Sequence, residues 1–369
     1  MVRVDGAVVS ARDGTTYYPA LDGLRALAVL AVVGFHTMQA RLPGGFLGVD
    51  VFYVISGFVI TLTLLREYER TGALSLRQFY RRRFWRLTPA LLAAVALAGI
   101  VTPWTRDSFS SYVLQAAQAL TYTLNLGHSF SGHPGDQVLS HTWSLGVEEQ
   151  FYLFWAPLSV LVLAPGRSRR RKALYLTAAL LALFTTGVAT ADVLGVQAAF
   201  FLPWVRIPEL LVGAVWAVAL HGRTSGRILR LFASPIVACC AAGILVVELV
   251  SVHDLLGQAL LHGGFLATAA VASVLVAHAY MAAGGAVAWV LNVKPLVWLG
   301  QRSYGIYLYH WPIVIALSHE GVPSRIATPI TLAAGVGLAG ASYAWLELPL
   351  RRRAHFVTPQ EKERQAAGG

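Results

Sequence analysis

The chain reads as an all-α, polytopic membrane bundle of about ten transmembrane helices, with both termini in the cytoplasm. Three observations predict this. Of its 369 residues 56% are hydrophobic and only 13% are charged, about half the charged fraction of a soluble domain. Apolar runs near 20 residues, the length that crosses a bilayer, recur along the chain. Arginines gather in blocks in every second connection, as cytoplasmic loops do.

The expected spans are 19–38, 46–65, 86–102, 145–164, 173–191, 202–220, 229–250, 258–279, 301–318 and 327–347. Connection 66–86 holds Arg66, Arg70, Arg77, Arg81, Arg82, Arg83 and Arg86, and 166–172 reads GRSRRRK. Connection 221–230 reads HGRTSGRILR, and the tail begins RRR at Arg351. The connections between these are poor in basic residues, so ten crossings give a strict alternation. Segment 109–126 is apolar but short and rich in Ser, Gln, Thr and Tyr. A crossing there would turn every later basic loop outward, so it is placed in the outer connection. Residues 1–18 form a cytoplasmic N-terminal segment, 19–350 one membrane domain and 351–369 a cytoplasmic tail with a disordered end. No cleavable leader, internal repeat or second domain is read.

Composition also removes some classes of function. The net charge of +11 sits between apolar runs, where it sets topology, so no nucleic-acid partner is expected. Cys239 and Cys240 are adjacent in an apolar run and give neither a disulfide framework nor metal spacing. His128, His133 and His141 in the outer connection lack tight ligand spacing, so they are read as solvated or acceptor-facing and no metal is expected. Trp143, Trp155, Trp204, Trp289 and Trp298 suit interfacial belts. Only Lys172, Lys294 and Lys362 are lysines among 29 basic residues, which points to a GC-rich bacterial genome and hence a bacterial cytoplasmic membrane.

The first span carries Arg25 and His36, costly residues in hydrocarbon. Eleven residues apart, they share one helix face at an axial distance of about 16 Å. Asp22 lies at the inner edge of this polar stripe. A neutral imidazole near its own pKa takes a proton from an alcohol and later returns it, which is what acyl transfer to a hydroxyl needs. An anionic donor would also need a cationic dock. RRRFWRLTP at 81–89 offers one, with Arg83 and Arg86 three apart on one face. Basic residues at an inner helix end are also ordinary topology signals.

Several ordered motifs then make the chain recognisable. They are Arg25 and His36 at their interval, GVDVFYVISGF at 48–58, Arg83 and Arg86 as RxxR, and TWSLGVEEQFYLFW at 142–155. SYGIYLYHWPI at 303–313 and the closing YAWLELPLR at 343–351 complete the set. On these the chain resembles the acyltransferase-3 family of integral membrane O-acyltransferases, over most of its length. The resemblance implies a ten-helix protein that moves an acyl group, usually acetyl from acetyl-CoA, onto an acceptor hydroxyl across the membrane. Some members carry an extra esterase-like domain, for which this length leaves no room. Two positions depart from the family pattern. The closing motif often reads Glu-Arg-Pro, whereas Glu347-Leu348-Pro349 lacks that cation, and Phe52-Tyr53 replaces Phe-Phe.

Topology groups the remaining motif residues. Glu148 and Glu149 start an outside-to-inside helix at the depth of His36, where a carboxylate can orient the imidazole. Glu149 is taken as the inward one, although helical phase leaves Glu148 open. Acidic residues also simply suit a first helical turn. Asp50 heads the second span, and Ser56 and Gly57 sit near mid-membrane. Gly57 lets a helix or a pantetheine arm come close, and Ser56 is a weaker nucleophile candidate. Ser303 and Tyr304 open the ninth span on the donor side, with His310 near mid-depth. Trp143 and His310 are read as support.

The expected function is O-acylation. Acyl-CoA docks from the cytoplasm at Arg83 and Arg86, its arm runs along the Arg25 stripe, and His36 deprotonates the acceptor. Direct transfer and an acyl-enzyme route both fit. The acceptor is a glycan or glycolipid hydroxyl, with a macrolide-type or glycosylated natural product as the alternative. The rival classes are a proton-coupled transporter, with Arg25, His36 and Glu149 as a relay, and a non-catalytic scaffold.

Overall fold

The computed structural model describes residues 2–4, 7–9, 16–131, 137–164, 166–222, 226–281 and 284–354. His133 and the tail beyond 354 lie outside them. Ten principal helices carry the fold: α1 Pro19–Thr37, α2 Gly48–Thr71, α3 Leu76–Val101, α4 Trp143–Val162, α5 Arg169–Leu194, α6 Pro203–Leu220, α7 Pro235–Ser251, α8 Phe265–Tyr280, α9 Ser303–His319 and α10 Ser324–Ser342. Val2–Val4, Ala7–Val9 and Thr16–Tyr17 pair as a short antiparallel strip ahead of α1.

Each expected span overlaps one of these helices, although 229–250 also takes in part of the short element Arg227–Ala233 and 258–279 takes in Leu260–Gly264. Among the described residues seven helices are long and apolar enough to cross a membrane. The other three expected positions hold α4, with Glu148 and Glu149 inside it, and α7 and α9, of 17 residues each. Segment 109–126 forms Phe109–Leu120 and the start of Leu124–Ser131. The first, of 12 residues, is about 18 Å long and too short to cross.

The connection 66–86 is much shorter than its charge suggests. α2 runs on to Thr71 and ends at Gly72, whose φ of 72° is the left-handed cap that glycine adopts without penalty. α3 begins at Leu76, with Ser75 capping the N–H of Gln78. The arginines therefore ride on helical turns. Their long stems cover apolar surface while the heads reach polar surroundings.

α1, α2, α6 and α9 form the buried centre, and apolar faces of α5 and α7 point outward through Leu174, Leu181, Ile236, Val246 and Val247. Small residues let the central helices touch backbone to backbone. A Cβ on Gly57 would lie 1.8 Å from the Leu210 carbonyl oxygen, and one on Gly213 would lie 2.1 Å from that of Val54. This reciprocal pair presses α2 on α6, which favours the helix-packing reading of Gly57. Trp155, expected in an interfacial belt, is 4% exposed and donates to Thr61 Oγ1 at 3.0 Å. An indole takes that place because α2 supplies a partner for its N–H.

Candidate active site

Two cavities lie at opposite ends of α1. The first, of about 380 Å³, is lined by Asp22, Arg25, Ser56, Arg83, Arg86, Glu148, Tyr152, Ser303, Tyr304 and Arg351, among others. The second, of about 530 Å³, is lined by His36, Arg106, Ser140, His141, Trp143, Arg206, Tyr307 and Trp311 among others. The first is the basic cavity and the second the histidine cavity. Arg25 and His36 share a helix face, as their spacing requires, but each opens into a different cavity.

In the basic cavity Arg25 is held by Asp22, Nη1 to Oδ1 at 3.3 Å, and Tyr17 donates to the other carboxylate oxygen at 2.6 Å. Arg83 lies 3.3 Å over the ring of Tyr152 and donates from Nε and Nη2 to Glu149 Oε1 at 3.2 and 3.0 Å. Tyr152 in turn donates to Glu148. Tyr304 donates to the Leu87 carbonyl at 3.2 Å. Arg86 lines the same cavity with no hydrogen bond or ion pair among the described residues. A free guanidinium beside Arg25, Arg83 and Arg351 makes this cavity suited to a polyanion such as a phosphate ester.

Glu149 is therefore not the partner of His36. α4 presents it to Arg83 on α3, while Glu148 accepts from Tyr152 one turn along α4. The partner is His310, fully buried on α9. His36 Nδ1 and His310 Nε2 are 2.9 Å apart, and His310 Nδ1 is 2.6 Å from the Tyr307 carbonyl oxygen. A carbonyl only accepts, so His310 Nδ1 carries the hydrogen. Its Nε2 must then accept from His36 Nδ1, which leaves the His36 Nε2 lone pair bare. One edge of His36 packs against Trp311, with ring centroids 4.4 Å apart.

His141 joins this group, with ring centroids 5.7 Å from His310 and 5.4 Å from Tyr307. Its Nε2 donates to the Leu308 carbonyl at 3.1 Å, and its buried Nδ1 has no partner among the described residues. Burial, with His310 and His36 beside it, holds this imidazole well below its ordinary pKa and so keeps it neutral. His128 is likewise buried and bonds Ser140 Oγ at 3.0 Å. Neither ring is solvated, because the connection before α4 folds inward over the bundle; His141 instead faces the cavity.

Asp50 lines neither cavity. It bonds Arg206 Nη2 at 3.0 Å, with Glu209 Oε2 3.4 Å from the same nitrogen, and all three are at most 2% exposed. Ser56 contacts the basic cavity, but among the described residues no base is bonded to it. Trp143 walls the histidine cavity against Phe200 and Phe201.

A family model described as an acyltransferase domain matches residues 18–346. The chain belongs to this acyltransferase family. It is similar to the peptidoglycan O-acetyltransferase OatA of Listeria monocytogenes, 30% identical over 363 residues, 92% of this chain and 57% of that protein. It is also similar to the O-acetyltransferase OatA of Staphylococcus aureus, 30% identical over 377 residues, 95% of this chain and 60% of that protein. The putative peptidoglycan O-acetyltransferase YrhL of Bacillus subtilis is 32% identical over 364 residues, 91% of this chain and 55% of that protein. The chain spans just over half the length of these curated relatives. No solved structure matches it.

Membership of the acyltransferase family gives the departure at Leu348 a structural sense. Arg351 follows one turn later, lines the basic cavity and pairs with Glu347. The closing segment thus still delivers a cation to the cavity. Three features of the site go unread in the sequence: the packing of His141 against His310, Arg351 as a cavity cation, and Arg206 as the partner of Asp50. Arg206 carried the one available signal, an arginine inside an apolar helix three residues before a glutamate.

Proposed function

We propose that this multi-pass membrane protein is an O-acyltransferase that moves an acyl group from acyl-CoA in the basic cavity to a glycan hydroxyl in the histidine cavity. The observation that carries the reading is the placement of the two cavities. One offers a free cation among arginines, and the other a bare imidazole nitrogen, with a single wall between them. Arg83, Arg86 and Arg351 at the basic cavity belong to arginine-rich segments, which supports a cytoplasmic orientation for that end and ten crossings of a bacterial membrane.

CoA phosphates bind Arg86, with Arg25, Arg83 and Arg351 around them, and the thioester points along α1. Ser303 and Tyr304 line its approach. His36 Nε2 takes the proton of the acceptor hydroxyl, and His310 Nε2 stabilises the resulting imidazolium by accepting from His36 Nδ1. The alkoxide attacks the thioester carbon. The C–S bond then breaks, and the proton passes from His36 to the thiolate, which leaves as CoA-SH. Peptidoglycan is named for the Listeria and Bacillus relatives, a glycan of that type is the acceptor, and the tryptophan walls of the histidine cavity suit a sugar face.

A relay of Arg25, His36 and Glu149, as a transporter would need, is interrupted by the wall and by the Arg83–Glu149 pair. The test is release of free CoA from acetyl-CoA labelled on the acetyl group, in inside-out vesicles with cell extract as acceptor source. Loss of release in His36→Ala with a folded protein supports the proposal. Equal release by parent and variant overturns it.

A further inference from the structure

The two cavities share two wall residues, Val49 on α2 and Tyr307 on α9. Val49 is β-branched and has little rotamer freedom in a helix. Tyr307 is held differently at its two ends. Its carbonyl accepts from His310 Nδ1 at 2.6 Å, so the main chain is fixed by the histidine pair. Its phenol donates to the His141 carbonyl at 2.7 Å and, its one proton being used there, accepts from Ser144 Oγ at 2.6 Å. Tyr53, on the basic side, ties the same turn by donating to the Ser144 carbonyl at 3.1 Å. Two hydrogen bonds thus latch the ring, and breaking them would let it turn about its side-chain bonds while the main chain stays in place.

Resting on the acyl-transfer reading, we infer that Tyr307 is the gate between donor and acceptor cavities and that it restricts transfer to short acyl groups. A thioester carbon in the basic cavity reaches the hydroxyl at His36 only past this ring. The opening made by one phenol ring, opposite a side chain that cannot give way, passes a two-carbon group and resists a long chain.

The gate is read first without turnover. In a chain carrying Cys239→Ala and Cys240→Ala, Val314→Cys places a thiol in the histidine cavity, about 10 Å beyond Tyr307 along α9. A charged, impermeant methanethiosulfonate is added to sealed vesicles on the side from which a control Gln301→Cys, in the basic cavity, reacts. Labelling of Val314→Cys from that side should be slow with Tyr307 present. It should rise about tenfold or more with Tyr307→Ala, and less with Tyr307→Phe, which keeps the ring and loses the latch. An unchanged rate in both variants overturns the gate.

Selectivity is read by CoA release from acetyl-, butyryl- and octanoyl-CoA. The octanoyl-to-acetyl ratio should rise at least about tenfold in Tyr307→Ala, and an unchanged ratio removes the size filter. If no donor releases CoA while labelling still depends on Tyr307, the acyl-transfer reading has failed and the gate stands.

Discussion

His36 Nδ1 and His310 Nε2 meet at 2.9 Å across 274 residues of sequence, and the Tyr307 carbonyl beyond them fixes which nitrogen holds each proton. The pair does for His36 what a carboxylate does in a hydrolase triad: it selects a tautomer and holds the ring. Replacing His310 with alanine should therefore cut turnover by about 10²-fold or more while acyl-CoA binding stays unchanged. Turnover close to that of the parent would remove His310 from the site.

The Arg83–Glu149 pair separates two roles for the carboxylate. If Glu149 served His36, Glu149→Gln would lower kcat. With Glu149 bonded to Arg83 Nε and Nη2, the variant should instead change KM for acyl-CoA by several-fold and leave kcat within about twofold. Steady-state kinetics in acyl-CoA decides between them.

Arg86 and Arg351 line the same cavity from α3 and the closing segment. Each alanine variant should weaken acyl-CoA binding by about tenfold, the scale of one charge-assisted contact to a phosphate. Added salt should weaken binding in the parent more than in either variant. Unchanged affinity in a direct binding titration would move the dock elsewhere.

Gly57 tests packing against passage. A Cβ there would meet the Leu210 carbonyl oxygen, and backbone cannot retreat as a flexible side chain can. Gly57→Ala should destabilise the bundle by about 1–3 kcal/mol, seen as a lower melting temperature in detergent. A variant as stable as the parent, with a raised KM for acyl-CoA, would place Gly57 on the substrate path.

Local composition made much of the architecture legible. Hydrocarbon admits only long apolar helices whose backbone groups are satisfied internally, so each span announces itself within its own 20 residues. Arg25 and His36 stood out for the same reason, since such residues in an apolar helix need an explanation wherever the helix packs. Arg83 and Arg86 could be read as a pair because three residues bring side chains to one face of any helix. These properties depend on short-range spacing alone.

Contacts between distant helices were decided by tertiary structure. Glu149 and His36 were expected to meet because topology placed them at similar depth, but depth leaves rotation about the helix axis free. The packing of α4 on α6 and α2 set that rotation and left Glu149 facing Arg83. His310 reached His36, and His141 folded inward, through the pairing of α1 with α9 and the closure of the outer connection. The sequence by itself determined which helices exist and which charged groups they carry, because a helix obeys a local period and a bilayer a fixed thickness. Only the fold decided which of those groups touch, because partner choice depends on how whole helix surfaces fit together.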